Sequence, residues 1–205
     1  MSATALWGWM VLIALGISVG GVAWRLRGLL ARPLRPDRSP ARGSAWRGIL
    51  YAFTMGMMPW AKESTRQHLL PYLRGVLFHV GIFATLASLA VSPWRLSLPA
   101  PLAVGGLVLT GIGAAGGVIG ILMRIFDERL RALSHPDDYA AVALVTAWQA
   151  AGVAFWADPR WMAVFYGLSA LTLVAIPVTK IRHCIYFFFS RFFFGLFYGR
   201  RAVLG

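Results

Sequence analysis

Leu77–Leu89 reads LFHVGIFATLASL, and His79 is its one ionisable residue. The apolar run around it extends from about Leu69 to Val91. That is long enough to cross a hydrocarbon core of about 30 Å at 1.5 Å per residue. A histidine at that depth is costly unless something binds it, which makes His79 a candidate functional residue. A second imidazole, His183, lies in TKIRHCIYFFF at the end of the last apolar run. Two histidines on different membrane helices point to a metal or a haem held by both.

The rest of the composition belongs to the same environment. The chain has 205 residues, which favours a single membrane domain, and 59% of them are hydrophobic, with nine tryptophans. A soluble domain of this size could not cover so much apolar surface. The formal charge of +13 would suggest nucleic acid in a soluble protein. Here the basic residues lie between apolar runs, so membrane topology and anionic lipid headgroups account for them and no nucleic-acid partner is expected. Cys184 is the one cysteine, which excludes an internal disulfide and an iron–sulfur cluster bound by this chain alone. The first apolar run lacks a basic leader and a small-residue cleavage site, so it is expected to stay as a span.

Five spans are expected, at about 5–24, 69–91, 102–126, 139–156 and 162–186. Between the first two lies a basic loop, 25–47, with seven arginines and the punctuating residues Pro33, Pro36, Pro40 and Gly43. The following GILYAFTMGMMPW, residues 48–60, is too short to cross and reads as an interfacial or re-entrant segment with Trp46, Tyr51 and Trp60 at headgroup depth. Pro71 falls in the first turn of the second span, where a missing N–H is tolerated. The third span contains GGLVLTGIGAAGGVIG, a face of nearly bare backbone that either lets a neighbouring helix approach closely or makes room for a flat macrocycle. The tail, 187–205, mixes phenylalanine with arginine as an amphipathic helix on the membrane would. Of the 20 lysines and arginines, 18 fall on one side of this arrangement and only Arg95 and Arg160 on the other. The expected protein is therefore an all-α integral membrane bundle with its N-terminus outside and its C-terminus cytoplasmic.

The histidines differ in setting. His79 is about 15 Å past Leu69, whereas His183 is about 31 Å past Met162, a mismatch that helix tilt and snorkelling of Arg74, Lys180 and Arg182 can absorb. The bland alternative is a histidine satisfied by a backbone or hydroxyl partner. His68 lies eleven residues before His79, and eleven helical steps return to the same face, so two stacked ligands on one helix could serve two haems. It stands among Lys62, Glu63, Arg66 and Gln67, where a solvated histidine needs no explanation. His135 precedes Pro136 in a polar loop and reads as a surface or proton-handling group. With four histidines in all, one haem is the better expectation than two. Arg74, Arg124, Arg129, Arg131 and Arg182 could pair with haem propionates. Each could equally serve only to set topology.

LFHVGIFATLASLAV resembles the second span of the gamma subunit of respiratory nitrate reductase, a five-span cytochrome b. AIPVTKIRHCIYF resembles the end of that family's fifth span, and MRIFDERLRALSHPDDYAA its loop between spans three and four. The pattern is nearest the cytochrome b subunits that accompany heterodisulfide-reductase-like iron–sulfur proteins. The resemblance implies that His79 and His183 ligate a haem b on the cytoplasmic side. The family's outer-haem ligands would fall at Leu89 and Phe165, which cannot bind iron, so a second haem is not expected.

It further implies a multi-pass protein of a bacterial or archaeal cytoplasmic membrane. Its partner would be a cytoplasmic iron–sulfur subunit, of heterodisulfide-reductase-like or molybdoenzyme electron-transfer type. Quinone or quinol would be its exchangeable substrate, and the chain an electron-transfer subunit rather than an enzyme alone. Lys62, Glu63, His68, His135, Asp137, Asp138 and Tyr139 are the candidate quinone and proton groups. The rival function is a haem-free membrane anchor or assembly subunit. A small transporter is disfavoured, because inverted repeats and a charged midplane pathway are missing.

Overall fold

The computed structural model describes residues 3–33 and 39–204, which build an all-helical protein with no strand among them. Arg35, Pro36 and Arg38 of the basic loop lie outside the described residues. Four helices are long and apolar enough to cross a membrane, or five if one broken pair counts as a span. The long ones are α1 (Ala3–Leu30), α4 (Leu69–Val91), α5 (Ala100–Phe126) and α7 (Pro136–Ala157). Two short helices, α2 (Ala45–Phe53) and α3 (Glu63–Gln67), precede α4, and α6 (Glu128–Ala132) links α5 to α7. The broken pair is α8 (Met162–Ala175) and α9 (His183–Arg200).

Local chemistry accounts for these boundaries. Pro101 and Pro136 sit in the first turns of α5 and α7, where their missing N–H costs nothing. The Asp127 carboxylate caps α6 by accepting from the Arg129 and Leu130 amides at 2.9 and 3.3 Å. The expected bounds of the second span are those of α4, while α1 runs six residues beyond its expected end at 24, so Arg25 and Arg27 extend a helix rather than open a loop.

The largest departure is at the fifth span. An unbroken helix over 162–186 does not form; α8 stops at Ala175 and Pro177 follows in a turn. Proline cannot donate the next helical hydrogen bond, and its ring clashes with the preceding turn. At 14 residues, about 21 Å, α8 is too short to cross alone. His183 consequently opens a new helix and does not end a long one.

The chain gathers into two compact units, one of Met1–Arg25 with Leu73–Ile181 and the other of Leu26–Tyr72 with Arg182–Gly205. In the first, the glycine face of α5 is where α4 and α7 close in. A Cβ on Gly113 would collide with Gly81 of α4 and with the Gln149 amide of α7. One on Gly117 would meet Thr146 and Phe78, and one on Gly120 would meet Arg74. The face is thus used for helix packing, and the macrocycle reading of it has no room there. Beyond it lies an aromatic core of Trp148, Phe155, Trp156, Phe165 and Tyr166. On the far side Ala14 of α1 packs with Ala170 and Leu173 of α8, and Gly21 abuts Pro177.

The second unit is built on an antiparallel pair. Gly48 of α2 meets the backbone of Gly195 and Gly199 of α9, while Phe53 stacks edge-on against Phe187, with ring centroids 6.3 Å apart, at the other end. The Arg200 carbonyl accepts from the Arg42 and Gly43 amides at 2.8 and 3.0 Å and closes the pair. Small residues at these crossings let backbones touch.

Candidate functional site

His79 lies on the face of α4 opposite its buried glycine and threonine. Val76 and Phe83, at three and four residues' spacing, and Leu86, at seven, are exposed, while Gly75 and Ile82 are half-buried, so the imidazole stands on a partly exposed apolar face. The ring Nδ1 is 2.7 Å from the carbonyl oxygen of Gly75, one turn back. A carbonyl can only accept, so Nδ1 is the donor in this bond. Iron-ligating histidines are oriented by this kind of bond, with one nitrogen donating to a carbonyl and the other presented to the metal.

His183 is exposed at the first position of α9 and belongs to the second unit, whereas His79 belongs to the first. His68 has non-helical backbone (φ −126°, ψ 51°) at the end of α3, before α4 begins. The continuous helix that would put it on the His79 face does not exist, which removes the geometric case for it as a stacked second ligand.

Of the candidate arginines, Arg74 reaches from α4 onto α5, where Arg124 stands. The Arg74 guanidinium lies over Gly120 and donates to the Gly116 carbonyl at 3.3 Å, and its buried Nε has no hydrogen-bond partner. Arg124, one turn beyond Gly120, donates to the Ser134 hydroxyl at 2.8 Å, and its carbonyl accepts from Tyr139 at 3.0 Å. Arg131 donates to the Ile125 carbonyl at 3.0 Å and pairs with Glu128 at 3.7 Å. Arg129 is exposed, and Arg182 is half-buried just before α9.

The candidate proton groups divide as well. Asp138 accepts from the His135 amide at 2.9 Å and from the Lys180 ammonium at 2.7 Å, so it ties the start of α7 to the turn after α8. His135 and Asp137 are exposed beside it. Lys62, Glu63 and His68 belong to the second unit, where Glu63 accepts from Gln67 at 3.4 Å. Partial burial, then the Arg191 guanidinium, hold the Lys62 ammonium below its ordinary range.

Leu89 and Phe165 both belong to the aromatic core. Phe165 is fully buried and stacks on Phe155 with centroids 4.9 Å apart. Around them Trp156 Nε1 donates to Ser88 at 2.8 Å, Trp148 Nε1 to Ser169 at 2.8 Å, and the Ser92 and Tyr166 hydroxyls share a hydrogen bond. Arg95 folds over Phe155 and donates to the Trp156 carbonyl at 2.7 Å.

Gln149 went unnoticed in the sequence. It is fully buried, and among the described residues neither end of its amide has a hydrogen-bond partner. The signal was a lone amide in an apolar span. Among the described residues no three of His, Cys, Asp and Glu come together as a metal-binding group. No family model matches the chain, and no curated protein and no solved structure matches it either.

Proposed function

We propose that the chain is a haem b-containing membrane subunit that passes electrons between the quinone pool and a cytoplasmic iron–sulfur partner, in a respiratory or sulfur-linked redox complex. The observation that carries this reading is His79: an imidazole on an apolar helix face, with Nδ1 2.7 Å from the Gly75 carbonyl oxygen. His79 and His183 are the proposed axial ligands. Arg74, Arg124, Arg129, Arg131 and Arg182 are the cations available to its propionates. When bound, the haem supplies a one-electron couple, whose potential is set by its ligands and burial. The packing of Leu89 and Phe165 in the aromatic core supports a single haem per chain.

The distribution of basic residues supports an N-terminus outside and a cytoplasmic C-terminus, in the cytoplasmic membrane of a bacterium or archaeon. In that orientation α2 lies at the headgroups with Trp46, Tyr51 and Trp60, and the basic loop faces the iron–sulfur partner and anionic lipid. Quinol oxidation releases protons with its electrons, and Glu63, His68, His135 and Asp137 are groups on that side able to take them. One observation favours the rival reading, a haem-free anchor: the glycine face of α5 is filled by α4 and α7.

The absorption difference between reduced and oxidised protein decides between them. One low-spin haem per chain is expected, lost or turned high-spin in both His79→Ala and His183→Ala but retained in His135→Ala. A chain that purifies without haem would establish the anchor reading. Two haems per chain, one lost in His68→Ala, would overturn the single-haem reading.

A further inference from the structure

Arg74 and Arg124 stand at the same end of the antiparallel helices α4 and α5, within the first unit. Arg74 lies on the second turn of α4, and Arg124 two residues before α5 ends. The Arg74 guanidinium covers Gly120, one turn from Arg124, so the two cations share a helix face and are close enough to repel. Neither has a carboxylate partner among the described residues. The acids around them are engaged elsewhere: Asp127 caps α6, Glu128 pairs with Arg131, and Asp138 pairs with Lys180. A guanidinium carries five N–H donors, yet Arg74 donates one hydrogen bond, to the Gly116 carbonyl, and Arg124 one, to Ser134. Half-buried like charges at a membrane helix end, with most of their donors unused by the protein, call for an anion.

We propose that Arg74 and Arg124 together hold the phosphate of an anionic phospholipid. Planar guanidinium forks match phosphate oxygens two at a time. Both arginines lie near helix ends, where headgroups sit, and basic pockets between membrane helices bind such headgroups. Leu70 and Leu77, four residues before Arg74 and three after it, are exposed on the same side of α4 and offer the acyl chains a surface. A free phosphate would leave that surface unused. Two unpaired cations also favour a headgroup of net negative charge over a zwitterionic one, whose ammonium they repel. Arg129 and Arg182 remain for haem propionates, so the lipid site goes beyond the electron-transfer reading and does not depend on it.

Native mass spectrometry tests the site. The full chain, delipidated in detergent, is titrated with phosphatidylglycerol, phosphatidylethanolamine or inorganic phosphate. Phosphatidylglycerol is expected to occupy one tight site per chain, about tenfold more tightly than phosphatidylethanolamine. Arg74→Gln and Arg124→Gln should each weaken it roughly tenfold, the loss of a charge-assisted contact. Arg124→Lys keeps the charge, loses the fork and should weaken it about threefold, which preserves the test if Arg74→Gln fails to fold. Arg27→Gln removes an equal charge from an exposed position and should change nothing. An equal loss in Arg27→Gln, or equal binding of the two lipids, would reduce the contact to a general attraction for headgroups and overturn the site. Displacement of the lipid by inorganic phosphate would make it a free-anion site and overturn the lipid assignment. Absorption spectra of the same samples add one more outcome: haem lost together with the lipid in both glutamine variants would assign these arginines to propionates instead.

Discussion

The two ends of the α4–α5–α7–α8 bundle hold together by different means. At the Arg95 end the core is filled by volume: Trp148, Phe155, Trp156, Phe165 and Tyr166 interlock, and Ser169, Ser88 and Ser92 partner the polar tips of Trp148, Trp156 and Tyr166. Towards Arg74 the backbones of Gly81 and Gly113 touch, and the side chains of Gln149, Thr146, Phe78 and Arg74 lie directly on Gly113, Gly117 and Gly120. Lipid is as apolar as a leucine core, so burial alone gives helices little reason to associate; contact area and hydrogen bonds must do it. Large interlocking rings and bare touching backbones are two solutions to that problem. The first tolerates trimming better than the second tolerates addition.

Adding volume to the glycine contact should have the largest effect. Gly113→Leu places a side chain where Gly81 and Gln149 already are and should cost at least about 3 kcal/mol, read by thermal unfolding in detergent. Gly105→Leu on the same helix, where a Cβ would meet nothing within 4 Å, should stay within about 0.5 kcal/mol. Similar losses from both would erase the distinction between the two ends.

Removing volume from the aromatic end comes next. Phe165→Ala leaves a cavity against Phe155 and should cost about 2–3 kcal/mol, less than in water because the unfolded helices remain in lipid. A neutral result would mean that this core collapses freely.

The smallest effect carries the most informative sign. Gln149 lies with its amide oxygen against Gly81 and Gly113, and among the described residues neither end of the amide has a hydrogen-bond partner. Gln149→Leu keeps most of the volume and removes the unpartnered amide, and should be neutral or stabilising by about 1 kcal/mol. A clear loss of stability would reveal a water or ligand held by that amide.

What the amino-acid pattern settled was the set of helices that can cross. Leu69–Val91 was legible to the residue because a bilayer imposes a minimum apolar length and Pro71 is tolerated only in a first turn. His79 was legible as the odd residue in its run. Hydropathy could not show the break after Ala175, since the apolar run continues through Pro177 while the helix does not. Nor could it tell which side of each helix turns inward. A membrane helix is apolar all round, without the polar face that marks the outside of a soluble one. Only tertiary packing determined that Gln149, Thr146 and Arg74 fill the glycine face of α5, that Phe165 is core, and that His79 looks outward. These choices depend on which backbones can touch, and that is decided between helices, not along any one of them.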